Sequence, residues 1–225
     1  MKNLVSTQKS KTYYVFAILF LLFLSACKND KRIISISGII EDPSLEIILE
    51  GVEVALYTQK AETGTFSYNF QKQATTISDK NGEFSFEFEF SYNIAFKLEL
   101  SKDLYFSSSS KFEIEELTDD DKYFNNFDLF PQAWIHFHIV DENPFNNHDM
   151  VMYRIENFDL QCNGCCPNEF ISFEGYTIDE TFECLVYGNR EYTINFITRK
   201  NEVETFPVRV VYCPAFETKN VELIF

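Results

Sequence analysis

The sequence predicts an all-β protein, made of two successive antiparallel β-sandwiches that follow an N-terminal segment of different character. Two observations support this fold class. Apolar and polar residues alternate with a period of two in both halves of the chain, and no segment after residue 26 keeps a helical period over the length of an ordinary helix. Each predicted strand therefore has one apolar face, which has to be buried against a second sheet.

The first 26 residues have the composition of an export signal. Lys2, Lys9 and Lys11 make the start positive, no acidic residue is present, and residues 13–24 form an unbroken apolar run of 12. A permanent membrane helix needs about 20 such residues. The sequence thus predicts a signal peptide at residues 1–26, with an uncleaved transmembrane anchor as the alternative.

The end of this segment, Leu24-Ser25-Ala26-Cys27, resembles the lipobox of bacterial lipoproteins. In that family the cysteine thiol receives a diacylglycerol and becomes the new N-terminus. The resemblance implies a lipid on Cys27, a tether at residues 27–32, and attachment to a membrane of the bacterial cell envelope without a transmembrane helix. Each buried CH₂ contributes about 0.8 kcal/mol, so two or three acyl chains hold a protein firmly. In such lipoproteins, an aspartate directly after the lipidated cysteine favours retention in the inner membrane. This position is Lys28, so the resemblance implies attachment to the outer membrane.

The remainder of the chain is strongly acidic. The full sequence has 19 Lys+Arg and 35 Asp+Glu, and three of the lysines lie in residues 1–26, which leaves 16 minus 35, or −19. Nucleic-acid binding needs basic patches that neutralise phosphates, so this composition excludes it. The acidic charge instead favours solubility, cationic partners or divalent metals.

The first predicted sandwich covers residues 33–106. Its clearest strand is EFSFEFEF at residues 83–90, with phenylalanines on one face and polar residues on the other. Residues 94–100 repeat the pattern, and the short connection at residues 91–93 predicts that the two strands pair as an antiparallel hairpin. Further strands are predicted at residues 33–40, 51–58 and 65–77.

Residues 79–86, Asp-Lys-Asn-Gly-Glu-Phe-Ser-Phe, resemble the turn and strand of the carboxypeptidase regulatory-like, transthyretin-like β-sandwich. Asn81 and Gly82 tolerate the positive φ of a tight turn, and the alternating phenylalanines enter the core. The order of segments at residues 37–40 and 51–56 fits the same family. Its modules carry no catalytic residues and act as folded spacers or interaction units. The resemblance thus implies a binding or scaffolding module.

Residues 107–130 lose the alternation and are predicted to be an acidic, polar connection. Asp119, Asp120 and Asp121 could contribute oxygen ligands to calcium, but they lack the alternating spacing of a calcium loop. A solvated connection is therefore the favoured interpretation.

The second predicted sandwich covers residues 131–225. Apolar alternation returns at residues 135–139, 192–196, 206–210 and 221–225. The dipeptides Gly188-Asn189 and Lys200-Asn201 are typical of hairpin turns. They predict a three-strand meander over residues 181–213.

Two groups of possible metal ligands lie in the second half. His136 and His138 share one face of a predicted strand and could bind zinc or copper with further ligands, although solvent-facing or groove-facing imidazoles are favoured. His148 lies in a polar loop. The cysteines after Cys27 all lie here: Cys162, Cys165, Cys166, Cys184 and Cys213.

These cysteines predict disulfides, because thiols outside the cytoplasm tend to pair. We expect a bridge from the cluster at residues 162–166 to Cys184 or Cys213, and the odd count leaves one thiol over. The cluster also resembles a soft-metal ligand set. A metal-binding or metal-handling lipoprotein that uses His136, His138 and the cluster is therefore the alternative function.

The sequence favours a non-catalytic binding or scaffolding module without a cofactor. It contains no G-x-S-x-G motif, no H-E-x-x-H motif and no phosphate-binding glycine loop. A hydrolase is thus only the third hypothesis. The expected partners are the membrane, through the lipid, and a protein or glycan of the envelope.

Overall fold

Strands make up nearly all of the regular structure, which confirms the predicted all-β sandwich fold. The structure is a computed structural model that describes residues 31–62, 65–66, 69–156 and 164–225. The predicted signal peptide, Cys27 and Cys162 lie outside these residues. Within them, no helix has the length and apolar character needed to span a membrane.

In the described ranges, the elements follow one another as 17 strands and one 3₁₀ turn at Ile114–Glu116. The first nine strands are β1 (Ile33–Asp42), β2 (Ile47–Ile48), β3 (Glu53–Glu62), β4 (Thr65–Phe66), β5 (Gln71–Ile77), β6 (Glu83–Glu89), β7 (Asn93–Ser101), β8 (Ser108–Glu113) and β9 (Lys122–Asp128). The other eight are β10 (Gln132–Val140), β11 (Met150–Ile155), β12 (Ile171–Glu174), β13 (Asp179–Tyr187), β14 (Arg190–Lys200), β15 (Val203–Thr205), β16 (Val208–Cys213) and β17 (Thr218–Ile224).

The first nine strands form two sheets that enclose one hydrophobic core. In one sheet β1 pairs with β2 and β6, and it also pairs in parallel with β9. In the other sheet β3 pairs with β4, β5 and β7, and β7 pairs with β8. Ile36, Leu56 and Phe96 come from both sheets and are fully buried. The alternating residues thus face each other across the sandwich.

The predicted hairpin of β6 and β7 is wrong, because the two strands belong to different sheets. β6 pairs with β1, whereas β7 pairs with β3 and β8. The connection, in which Tyr92 has a φ of 51°, carries the chain across the sandwich. The rings of Phe88 and Phe96 consequently lie 6.1 Å apart across the core. Alternation specifies which face of a strand is buried, but not which strand it pairs with.

Residues 107–130 differ from the predicted polar connection, since they contribute β8 and β9 to the first sandwich. Phe112 and Phe127 are buried in its core. Asp121 is also structural: its carboxylate accepts hydrogen bonds from the Arg32 guanidinium, with the shortest contact at 2.6 Å. This pairing lowers the pKa of Asp121 below its usual value. β8 and β9 each contribute only one buried side chain to the core, so polar residues dominate their sequences and hide the alternation.

A close approach of β9 to β1 explains the glycine at position 38. A Cβ there would meet the carbonyl oxygen of Asn125 and would lie 2.7 Å from the Phe127 ring. Any larger side chain would therefore push β9 off the sheet.

The last eight strands form a second pair of sheets around a separate core. One sheet has the order β13-β10-β17, in which β10 and β17 are parallel. The other has the order β12-β11-β14, and β14 pairs on its far side with β15 and then β16. Phe137, Tyr153 and Ile194 lie in this second core.

The predicted meander is correct only in its second half. The Lys200-Asn201 turn joins β14 to β15 in one sheet, as predicted. The Gly188-Asn189 turn instead joins strands of different sheets, because β13 pairs with β10. The Gly188 N–H donates to Pro131 O at 2.8 Å, which fixes this corner against the start of the second sandwich.

The two sandwiches also contact each other directly. The rings of Phe106 and Tyr187 lie 4.9 Å apart, and those of Tyr105 and Phe216 lie 5.4 Å apart. The Asn189 amide donates to Ser44 O at 3.0 Å. Aromatic packing and a hydrogen bond thus hold the junction, in addition to the covalent connection.

Candidate functional site

The candidate binding surface lies at the free edge of the β12-β11-β14 sheet, along β15 and β16. We call it the edge surface and define it by four apolar residues on the face turned away from the core, which are between 48% and 66% exposed: Phe206, Val208, Val210 and Tyr212. Single exposed apolar residues are ordinary, but a contiguous row of them marks an interaction site in many proteins.

The backbone of β16 has hydrogen-bonding groups on its open side. The Phe196 N–H donates to Pro207 O at 2.8 Å, which sets the phase of the antiparallel ladder between β14 and β16. Bonded pairs alternate with non-bonded ones, so Arg209 and Val211 bond to β14, while the N–H and C=O groups of Val208 and Val210 point away from it. Among the described residues, no strand pairs with β16 on that side.

The side chains of β16 divide between the two faces of the sheet. Val208 and Val210 lie beside Asn195 and Thr193 of β14, on the face turned away from the core. The sequence alternation predicted this strand, but it implied that these valines would be buried. The buried residue is instead Cys213. β-Branched and aromatic residues favour the extended conformation, so β16 can remain a strand even though its outer face is exposed.

Arg209 is the one charged residue of β16. It lies on the opposite face from the valines, is exposed, and donates from Nη1 to Val208 O at 3.3 Å. Within the described part of the chain it forms no ion pair. Its charge is therefore available to a partner that carries a carboxylate.

The histidine pair lies on the outer face of β10, in a shallow depression. His138 lies between two carboxylates, with Nε2 3.1 Å from Asp179 Oδ1 and Nδ1 3.7 Å from Glu222 Oε1. His136 Nδ1 lies 3.9 Å from Glu183 Oε2. Both imidazoles are about two-fifths exposed.

The structure does not bring together the candidate metal ligands that lie within the described ranges, which leave out Cys162. Cys184 stands opposite Ile135 on the buried face of the sheet, whereas the histidines alternate with Ile135 and face outward. Cys165 and Cys166 are both disulfide-bonded and so offer no thiolate. No group of three or more His, Cys, Asp or Glu suited to a metal occurs among the described residues. His148 lies elsewhere, 3.5 Å from Glu174.

The cysteine prediction is confirmed for one of its two alternatives. Cys166 forms a disulfide with Cys184, which ties the segment before β12 to β13. Cys213, the other predicted partner, is a free thiol that is fully buried. Burial raises the pKa of Cys213 to about 11, so this thiol stays protonated and unreactive at neutral pH.

A buried charged cluster at one end of the second sandwich was not predicted from the sequence. Asp149 accepts hydrogen bonds from the N–H groups of Phe145 and Asn146, and Lys200 Nζ donates to Asp141 and to Phe225 O. Burial disfavours the charge on Asp149, but these donors and Lys200 outweigh it and lower its pKa. With 35 acidic residues in the chain, no pattern distinguished these two. The cluster closes the loop between β10 and β11.

The comparisons with known proteins return only distant likenesses. No family model and no curated protein matches the sequence. The Streptococcal ancillary pilin is 15% identical, with a TM-score of 0.35, over 88% of this chain and 63% of its own. The Bacillus anthracis TIE protein is 9% identical, with a TM-score of 0.37, over 86% of this chain and 33% of its own. The chain thus spans less than two thirds of either.

A third solved structure is matched over nearly its whole length. The shaft pilin SpaA from Lactobacillus rhamnosus GG is 7% identical, with a TM-score of 0.32, over 86% of this chain and 97% of its own. These low identities and TM-scores assign the chain to no family.

Proposed function

We propose that this protein is a non-catalytic binding module of the bacterial cell envelope, and that the edge surface binds an extended segment of a partner protein as an additional strand beside β16. The observation that carries the proposal is the open side of β16. It combines backbone donors and acceptors with a row of exposed apolar side chains. Strand addition uses both: main-chain hydrogen bonds supply affinity, and alternate side chains supply specificity.

The chemistry of β16 defines the partner segment. Its side chains on one face should be apolar, so that they pack beside Val208 and Val210. On the other face an acidic residue should lie near Arg209. A second copy of this chain fits less well, because pairing two β16 strands about Val210 would place the two Arg209 side chains on neighbouring positions, and each chain from residue 27 carries a net charge of −19.

The anchor part of the proposal rests on the lipobox and on the disulfide. Disulfides persist mainly outside the cytoplasm, and the Cys166–Cys184 bond fits an envelope location. A lipid on Cys27 would attach the module to the outer membrane. Intact mass spectrometry of the membrane-extracted protein should show a chain that begins at residue 27 and carries diacylglycerol. A chain with an unmodified Cys27 would contradict the anchor but not the edge surface.

The strand-addition proposal is tested with a synthetic peptide that alternates valine and glutamate. The Val210→Glu variant should bind this peptide at least tenfold more weakly than the wild type, because it places a charge on the apolar face. Thr193→Glu is the matched control, because it places the same charge on the same face of the sheet but on β14, one strand away from the edge. It should leave the affinity for the peptide close to that of the wild type. Titration calorimetry measures the affinities.

Hydrogen exchange provides a second readout. The peptide should slow exchange at the amides of Val208 and Val210 in the wild type. Equal affinities for Val210→Glu and Thr193→Glu, or unchanged exchange at these amides, would overturn the strand-addition mode. Slowed exchange that appears at high protein concentration without peptide would identify a second copy as the occupant instead.

A further inference from the structure

A second concave surface lies on the first sandwich, far along the chain from the edge surface. It is a trough of about 460 Å³ on the outer face of the sheet formed by β6, β1 and β9. We call it the outer trough and define it by two large exposed side chains, two small ones and two carboxylates: Ile77, Phe124, Ser37, Ser85, Asp79 and Glu83.

The strand register builds the trough. Ser37 stands opposite Ser85 of β6 on one side and opposite Phe124 of β9 on the other. Neighbouring strands are about 4.8 Å apart, so the row from Ser85 to Phe124 measures about 10 Å. Ile77 of β5 closes the end beyond Ser85. Two hydroxyl side chains thus form a floor between two apolar walls.

The two apolar side chains that form the walls of the trough are largely exposed to solvent and do not pack into the core. Phe124 is 63% exposed and Ile77 is 64% exposed. The core of this sandwich uses the opposite face of β9, through Phe127. Among the described residues, Phe124 makes no ring contact. A phenylalanine that contributes little to the core is available to a ligand.

The floor offers hydrogen bonds that the protein does not use. Within the described residues, the hydroxyls of Ser37 and Ser85 have no hydrogen-bond partner, and each can donate one bond and accept others. The Glu83 carboxylate can accept bonds as well. One oxygen of Asp79 is occupied, since it accepts the N–H groups of Asn81 and Glu83 in the turn.

We propose that the outer trough binds a neutral oligosaccharide. A sugar ring has an apolar face that can stack on Phe124 and a rim of hydroxyls that can bond to Ser37, Ser85 and Glu83. The carboxylates of Asp79 and Glu83 repel anionic ligands. A purely apolar ligand would leave the serine hydroxyls unpaired, which carries a cost. The site adds a ligand class to the proposed module and does not depend on the edge surface.

The test uses the lipidated chain from residue 27, in a detergent without a sugar headgroup. Cellotetraose, maltotetraose and chitotetraose are the neutral probes, and polygalacturonate and tetralysine are the charged ones. Calorimetry should detect binding of at least one neutral probe and no binding of polygalacturonate. Phe124→Ala should weaken that binding at least tenfold, and Ser85→Val should weaken it too.

Two controls keep the result specific. Tyr92→Ala removes another exposed aromatic ring from the same sandwich and should leave the affinity unchanged. Val210→Glu should also leave it unchanged, which separates this site from the edge surface. If no neutral probe binds, or if Phe124→Ala binds as the wild type does, the proposal is overturned. Binding of tetralysine alone would identify a cationic peptide site instead.

Discussion

Replacement of Phe137 by alanine is expected to lower the free energy of unfolding of the second sandwich by about 3 to 5 kcal/mol. Phe137 lies in the middle of β10, fully buried, and its ring lies 5.0 Å from that of Tyr153 and 4.9 Å from that of Phe182. β10 is the central strand of its sheet, with β13 on one side and β17 on the other. The cavity therefore has little freedom to collapse. Urea unfolding followed by circular dichroism measures the loss.

Phe145→Ala is the matched control for this substitution. Phe145 is 54% exposed, in the loop between β10 and β11, so the same truncation should change the stability by well under 1 kcal/mol. If the two sandwiches unfold in separate transitions, only one of them should shift in Phe137→Ala. A shift of similar size in Phe145→Ala would show that burial is not what distinguishes the two positions.

The identity of the strands could be predicted from the sequence because alternation depends on one face being buried. The serine and glutamate residues of β6 point outward and Phe84 and Phe86 point inward, as the pattern requires. The same holds for Ile135, Phe137 and Ile139 of β10. β10 is the central strand of its sheet and β6 is an edge strand, but each packs one face against the facing sheet, so burial of that face is unavoidable in both.

Strand pairing could not be predicted in the same way. The connections after β6 and β13 are as short as hairpin turns, yet both carry the chain between sheets. A short connection limits the distance between two strand ends, and the facing sheet of a sandwich is also only about 10 Å away. The pattern of apolar residues is the same whether the second strand pairs with the first as a hairpin or joins the facing sheet. Only the tertiary packing distinguishes them.

The candidate sites were harder to predict than the fold. The valines of β16 have the same alternation as a core strand, and nothing in the local sequence marks the strand as an edge. The serines of the outer trough are ordinary outward residues of β1 and β6 until the register brings Phe124 beside them. Both surfaces result from pairings between distant segments, which a single sequence does not specify.

Removal of the Cys166–Cys184 disulfide is expected to lower the free energy of unfolding by about 3 kcal/mol. The two cysteines are 18 residues apart in sequence, and in the chain-entropy view a crosslink of this length restricts the unfolded chain by about that amount. The double variant Cys166→Ala/Cys184→Ala tests this without reductant, which would also break the disulfide of Cys165. Urea unfolding of the oxidised proteins measures the difference.

Cys213→Ala provides the control for the loss of buried sulfur, because Cys213 is buried in the same core but is not crosslinked. It should cost much less than the double variant. A double variant that is no less stable than Cys213→Ala would mean that the crosslink does not restrict the unfolded chain.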